Sequence, residues 1–297
     1  MSEAKPKPST RGSADVAAVI ARASAKQTER EASWIRDELP SLLVAIGIAL
    51  AIRTFVFQTF YVPSESMIPT LLIGDHVFVN KFAYGAQIPG VDWRFPAVRE
   101  PERGEVVVFR FARHPSGEIL PPDRAPSLPT DNFVKRLVAV PGDRFAFMNG
   151  RLILNGVPAP LEKTNLSYTG EDGRPRDVWI ETLGSCRHFV LDDPGYDPAQ
   201  NVAEQTIPEG RYLFMGDNRD NSRDGRWAGS VPKSALAGPA GLNYWSWNWN
   251  GSWLSLLNPL TWWENLTGKM RWERMGSFVE CFPEGETPEL VGALIAD

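Results

Sequence analysis

The chain has 297 residues, 43% of them hydrophobic, and a net charge of −5. That apolar content suffices for a sizeable core in one or two domains. The acidic balance leaves no basic footprint, so nucleic acid is excluded as a partner.

Residues 1–38 are rich in Ala, Ser and charge. They read as a mostly disordered tail with a marginal helix near Ala14–Arg30. From Leu39 to Val62 the chain runs LPSLLVAIGIALAIRTFVFQTFYV. A membrane-spanning helix needs about 20 mostly apolar residues, so 39–62 is expected to be one N-terminal transmembrane helix. Arg53 interrupts it, but a long basic side chain near one end reaches the interface. Phe55, Phe57, Phe60 and Tyr61 suit that interface as well. A cleavable signal peptide fits less well, because the segment starts far from Met1 and lacks a small-residue exit. A buried soluble helix remains the alternative. The basic residues of 1–38 favour a cytoplasmic N-terminus, with the large C-terminal part outside.

Beyond Val62, short β-like runs are separated by turn signals, the first of them alternating. They are His76–Phe82, Glu105–Phe111, Phe133–Val140, Arg144–Met148, Arg151–Leu154 and Arg211–Met215. Asn149-Gly150 is a strong two-residue hairpin signal. No sustained helical period appears, which predicts a mainly β fold of antiparallel sheets. His114–Asp131, full of proline, reads as a surface loop. The organisation expected is a catalytic β core over 63–155 and 206–297, interrupted by a smaller β subdomain over 156–205.

Two cysteines, Cys186 and Cys281, match neither a metal spacing nor a CxxC motif. They read as free, half-buried thiols, although an oxidising compartment would permit a disulfide. Seven tryptophans lie between Trp245 and Trp272. Rings of this kind either dip into a bilayer interface or fill the core, and both readings stand.

A serine hydroxyl needs a base before it becomes a nucleophile. His76, His114 and His188 occupy no triad motif, and no G-x-S-x-G elbow surrounds any serine. Lys135 lies among Phe133, Val134, Leu137 and Val138. An apolar setting of that kind lowers a lysine pKa from about 10.4 toward neutrality. Taken alone, Lys135 reads equally as a surface charge, and Ser66, bracketed by Pro63 and Pro69, as a turn residue. The polar run Gly216-Asp217-Asn218-Arg219-Asp220-Asn221-Ser222-Arg223-Asp224-Gly225-Arg226 partly mimics a calcium loop. Its closing acid would fall on Val231, so that reading fails.

In chain order, Ser64-Glu65-Ser66-Met67-Ile68-Pro69-Thr70-Leu71, Gly74-Asp75, Lys81-Phe82-Ala83-Tyr84-Gly85, Arg103 to Phe109, Lys135-Arg136 with Pro141-Gly142-Asp143, and Gly216 to Arg226 resemble the boxes of bacterial type I signal peptidases. These leader peptidases are membrane-bound Ser/Lys proteases. The resemblance implies Ser66 as nucleophile, Lys135 as general base and Ser222 as the residue orienting the lysine amine. The Ser66 backbone N–H and the Ser64 hydroxyl would form the oxyanion hole, with Asp224 and Arg226 as structural support. Phe60, Val62, Pro63, Met67, Leu71, Val77 and Val134 match positions of shallow apolar pockets that select small side chains.

The implied activity is removal of signal peptides from exported preproteins after an Ala-x-Ala site, with no cofactor and no metal. The implied partners are signal peptides, the lipid bilayer and a neighbouring secretion translocon. The implied location is the bacterial inner membrane, as a single-pass protein with its catalytic domain on the periplasmic face. Glu65 departs from the family pattern, where a small residue is usual. Two other readings stay open: a membrane-tethered, non-catalytic β module that binds export partners, and a self-cleaving Ser/Lys protease on a related fold.

Overall fold

The computed structural model describes residues 19–22, 24, 38–50, 57–85, 93–170, 173–192, 201–247 and 269–282. It divides into two compact units, Met1–Thr54 and Phe55–Asp297. In the first unit, residues 38–50 are helical, and their large apolar side chains, Leu43 and Val44 among them, are exposed. No helix among the described residues is long and apolar enough to cross a membrane.

The expected single helix over 39–62 needs correction at its far end. Residues 51–56 lie outside the described residues, and Phe57–Tyr61 is a strand, β1. Its sequence FQTFY is aromatic and β-branched. Such residues favour a pleated surface once a partner strand completes their hydrogen bonds. That partner is β2 (Asp75–Asn80), antiparallel, with Phe60 opposite Val77.

The chain continues through β3 (Val106–Arg113), β4 (Ile119–Leu120) and β5 (Thr130–Ala139). The short β4 and the start of β5 fall inside the stretch expected to be a plain loop. β6 (Arg144–Met148) and β7 (Arg151–Leu154) form a hairpin. Asn149 and Gly150 turn it with φ of 51° and 74°, the left-handed pair that matches strand twist. Then come β8 (Val157–Pro158), β9 (Leu161–Thr169), β10 (Pro175–Leu183), β11 (Cys186–Asp192) and β12 (Val202–Thr206). The last strands are β13 (Arg211–Met215), β14 (Val231–Pro232), β15 (Leu236–Ser246) and β16 (Ser277–Phe278).

These strands make three sheets. The largest runs β1-β2-β15-β3-β5-β13-β14, with β4 beside β3 and β16 beside β15. β9, β10 and β11 form a three-stranded sheet of their own, whereas β12 joins the β6–β7–β8 group. The protein is thus mainly β with antiparallel strand pairing. Alternation along β3 and β5 sends Val107, Phe109, Phe133 and Leu137 to one core cluster. Val106, Val108 and Val134 go to another on the opposite face.

Cys186 and Cys281 are disulfide-bonded, with their Cα atoms 5.0 Å apart. This corrects the expectation of free thiols. The bridge between Arg187 and Phe282 lays the C-terminal segment along β11 and brings the two sulfurs together. Most of the Trp-rich stretch lies outside the described residues, while Trp272 is exposed.

Candidate active site

Ser66 sits on a single 3-10 turn, Glu65–Met67, just after β1. Val62 closes the loop that carries it, pairing with Asp75 and Gly74 through backbone hydrogen bonds of 2.9 and 3.0 Å. Met67, fully buried, anchors the turn in the apolar cluster beneath. Ser66 itself is buried, and its Oγ lies 3.2 Å from the Ser64 Oγ.

Lys135 comes from the middle of β5, opposite Val107. Its two-residue neighbours Phe133 and Leu137 belong to the apolar cluster on that face, so the amine rises from a dry wall. Lys135 is 3% exposed, and its Nζ is hydrogen-bonded to Ser66 Oγ. Burial brings its pKa down to about 8, against the opposing pull of the Asp224 and Asp217 charges, while Arg226 lowers it further. A lysine with that pKa is neutral in a useful fraction of molecules near neutral pH, and a neutral amine can accept a proton.

The polar run after β13 packs against this pair. Arg226 pairs with Asp224 in a fork of 2.9 and 3.0 Å, both side chains buried. Asp224 also caps the short helix Gly225–Ala228 and accepts from the Gly216 N–H at 2.9 Å. Burial raises the Asp224 pKa, but the Arg226 charge and these hydrogen bonds outweigh it and hold the carboxyl low.

Ser222 lines the same cavity as Ser66 and Lys135, yet it does not hydrogen-bond the lysine amine. Its buried Oγ has no partner of normal geometry. It lies near enough to Asp224 to help keep that carboxyl ionised. The orienting bond expected from the resemblance is therefore absent here. The Ser66 Oγ and the surrounding charges are what Lys135 meets.

Of the apolar positions expected to form pockets, Val62, Met67, Leu71 and Val77 are buried in one cluster, with Phe60 and Val134 packed at its edge. Pro63 is exposed and stands outside it. Ser66 itself lines a cavity of about 520 Å³. It is lined by Ser64, Lys135 and Ser222 together with two residues not singled out from sequence, Phe133 and the exposed Trp227.

The structure adds further residues that sequence reasoning missed. Arg136 reads in sequence as a second surface charge. It is buried and forks onto Asp217 at 2.9 and 2.7 Å, with Thr70 bonded to both. The alternation of β5 is the available signal, since Arg136 must face opposite Lys135. Asn218 donates its N–H to the Ser66 carbonyl at 3.2 Å, and its side chain reaches the Glu65 carbonyl. The Glu65 carboxylate turns to Asn221 at 2.9 Å. The charge beside Ser66 is thereby held by the last polar run.

Comparison with known proteins follows the same residues. A family model described as "Signal peptidase, peptidase S26" matches residues 33–245. The "Signal peptidase I" of Pseudomonas aeruginosa is 34% identical over 218 residues, covering 70% of this chain and 71% of its own. That of Rickettsia typhi is 32% identical over 252 residues, covering 79% and 85%. A crystal structure of a signal peptidase I from Enterococcus faecalis V583 is 21% identical. It covers 48% of this chain and 98% of its own with a TM-score of 0.25, too loose a superposition to carry an argument.

Proposed function

Because this chain belongs to the signal peptidase family, peptidase S26, we propose that it removes signal peptides from exported preproteins after a small-x-small sequence, using Ser66 and Lys135. The observation that carries the reading is the hydrogen bond between the Lys135 amine and the Ser66 hydroxyl inside a dry wall. No histidine lines that cavity among the described residues. The family is one of serine endopeptidases, which sets aside the non-catalytic tether.

Lys135 takes the Ser66 proton as Oγ bonds to the scissile carbonyl carbon. The carbonyl electron pair moves onto oxygen, which faces the Ser66 N–H and the Ser64 hydroxyl. Preorganised donors of this kind are each worth about 2.7–4 kcal/mol in the transition state. Collapse breaks the C–N bond, and the Lys135 ammonium gives its proton to the leaving amine. Water, deprotonated by Lys135, then hydrolyses the Ser66 ester, and the proton returns to Ser66 Oγ. Asp224 and Arg226 hold the polar run in place, and Ser222 lines the same cavity as the amine.

Selection of small side chains belongs to the same reading: the apolar cluster of Val62, Met67, Leu71 and Val77, with Phe60 and Val134 packed at its edge, would line pockets too shallow for a large side chain. The exposed apolar side chains along residues 38–50 support a membrane anchor continuing from Leu39. The anchor would place the β unit on the periplasmic face of the inner membrane, where preproteins leave the translocon. The inserted subdomain of this reading is the three-stranded sheet β9–β10–β11, narrower than the expected 156–205, because β8 and β12 pair with β7 and β6 instead. The test is cleavage of an Ala-x-Ala preprotein by the purified chain. Ser66→Ala and Lys135→Ala are each expected to abolish it, and undiminished cleavage by either would remove that residue from its role.

A further inference from the structure

A second cavity, of about 460 Å³, shares no lining residue with the one beside Ser66. Arg94 and Arg110 both face it, with Trp93 on its rim at 49% exposure. Arg110 stands on β3 near the open end of the strand, and Arg94 comes from the segment before it. The two guanidinium groups share one acceptor. Arg94 Nη2 donates to the Ser234 carbonyl at 2.8 Å, and Arg110 Nη2 to the same oxygen at 3.2 Å. Arg94 Nη1 also reaches the Leu236 carbonyl at 3.4 Å.

Among the described residues, neither arginine has a carboxylate. The acid lining the cavity among the described residues, Asp123, is taken by Arg211 at 2.5 Å. The electrostatic consequence is visible in Arg94, whose pKa is lowered first by burial and then by the charge of Arg110. A guanidinium carries five N–H donors, and most of these are unspent. Two half-buried like charges with spare donors repel each other, and an anion between them would offset that repulsion. A phosphate group suits them, because its oxygens take paired N–H donors from two directions and its charge offsets both cations.

We propose that Arg94 and Arg110 form a phosphate-binding site, occupied by free phosphate or by the phosphate of a lipid headgroup. The site is independent of the peptide-cleaving reading, since neither arginine lines the Ser66 cavity.

The test uses the full chain in an uncharged detergent, titrated with inorganic phosphate at constant ionic strength, with chloride as control. The readouts are calorimetric binding and the melting temperature. The same melts are run in nanodiscs of phosphatidylcholine with and without phosphatidylglycerol. Wild type is compared with R94Q, R110Q and the double variant. Saturable phosphate binding in wild type, weakened about tenfold or more by each single change, supports the free anion. No saturation by phosphate, but a phosphatidylglycerol-dependent rise in melting temperature that the double variant loses, supports the headgroup. Equal responses of wild type and double variant in both arms overturn the proposal. Preprotein cleavage by the variants is expected to match wild type.

Discussion

Gly216 lies so close to the Ser66 turn that a β-carbon on it would stand 2.5 Å from the Ser66 carbonyl oxygen and overlap the Ser222 hydroxyl. The same carbonyl accepts the Asn218 N–H, so the polar run and the serine turn meet backbone to backbone. Gly216→Ala must push them apart. Displacement of a reacting group by about 1 Å costs on the order of 100-fold in rate. Cleavage of an Ala-x-Ala preprotein by Gly216→Ala is therefore expected to fall by about that factor or more, with a stability loss of about 1–3 kcal/mol in thermal melts. A variant with wild-type kcat/KM would show that the contact relaxes at no catalytic cost.

The Lys135 amine, with its pKa near 8, makes activity depend on pH in a defined direction. In the proposed reaction the neutral form is the base, so kcat/KM should rise with pH and level off above about 8. The same shift opposes folding. The folded pKa lies below the unfolded one, so the cost of burying the charge is present in full below pH 8. It is relieved as pH rises toward the unfolded value of about 10.4. Lys135→Met is expected to end cleavage and to raise stability at pH 6–7 by about 1–3 kcal/mol. A pH profile flat from 5 to 9 would count against Lys135 as the base.

Arg136 and Asp217 form a buried pair behind the dyad. Asp217→Asn leaves the Arg136 charge uncompensated, which costs about 3–5 kcal/mol in comparable pairs. Burial works against the Asp217 carboxylate, but the charge and hydrogen bonds of Arg136 prevail and hold its pKa low. Its contribution is present above the unfolded carboxyl pKa of about 3.9 and disappears only as pH falls through the lower folded value. Urea denaturation at pH 7 should show the loss, nearly unchanged by added salt because the pair is shielded from ions. Arg136 also donates to the Gly104 carbonyl at 2.6 Å and to the Thr70 hydroxyl, so a loss below about 1 kcal/mol would mean that these two satisfy it without the acid.

The Cys186–Cys281 disulfide joins positions separated by 95 residues. Removing a bridge over so long a loop costs about 2–5 kcal/mol. Cys281→Ser and the dithiothreitol-reduced wild type should melt at similar, lowered temperatures. Both should still cleave preprotein in the range where they remain folded, since neither cysteine lines the Ser66 cavity. Identical melts with and without reductant would show that the bridge contributes nothing.

Sequence by itself determined the local backbone and the chemistry available to it. The β-like run Glu105–Phe111 fell within β3 but for its first residue, and Asn149-Gly150 became a left-handed hairpin turn. Periodicity and positive φ are written in neighbouring residues. Ser66 and Lys135 were legible as a pair only through the ordered boxes, because a turn serine and a strand lysine each have an ordinary explanation. Sheet register decided the rest. It set Lys135 opposite Val107 and beneath Ser66, turned Arg136 to the other face onto Asp217, and completed FQTFY as a strand against β2 rather than a helix end. It also laid Cys281 beside Cys186. These contacts join residues tens of positions apart. Their energies come from burial and shared hydrogen bonds that exist only once the strands have paired.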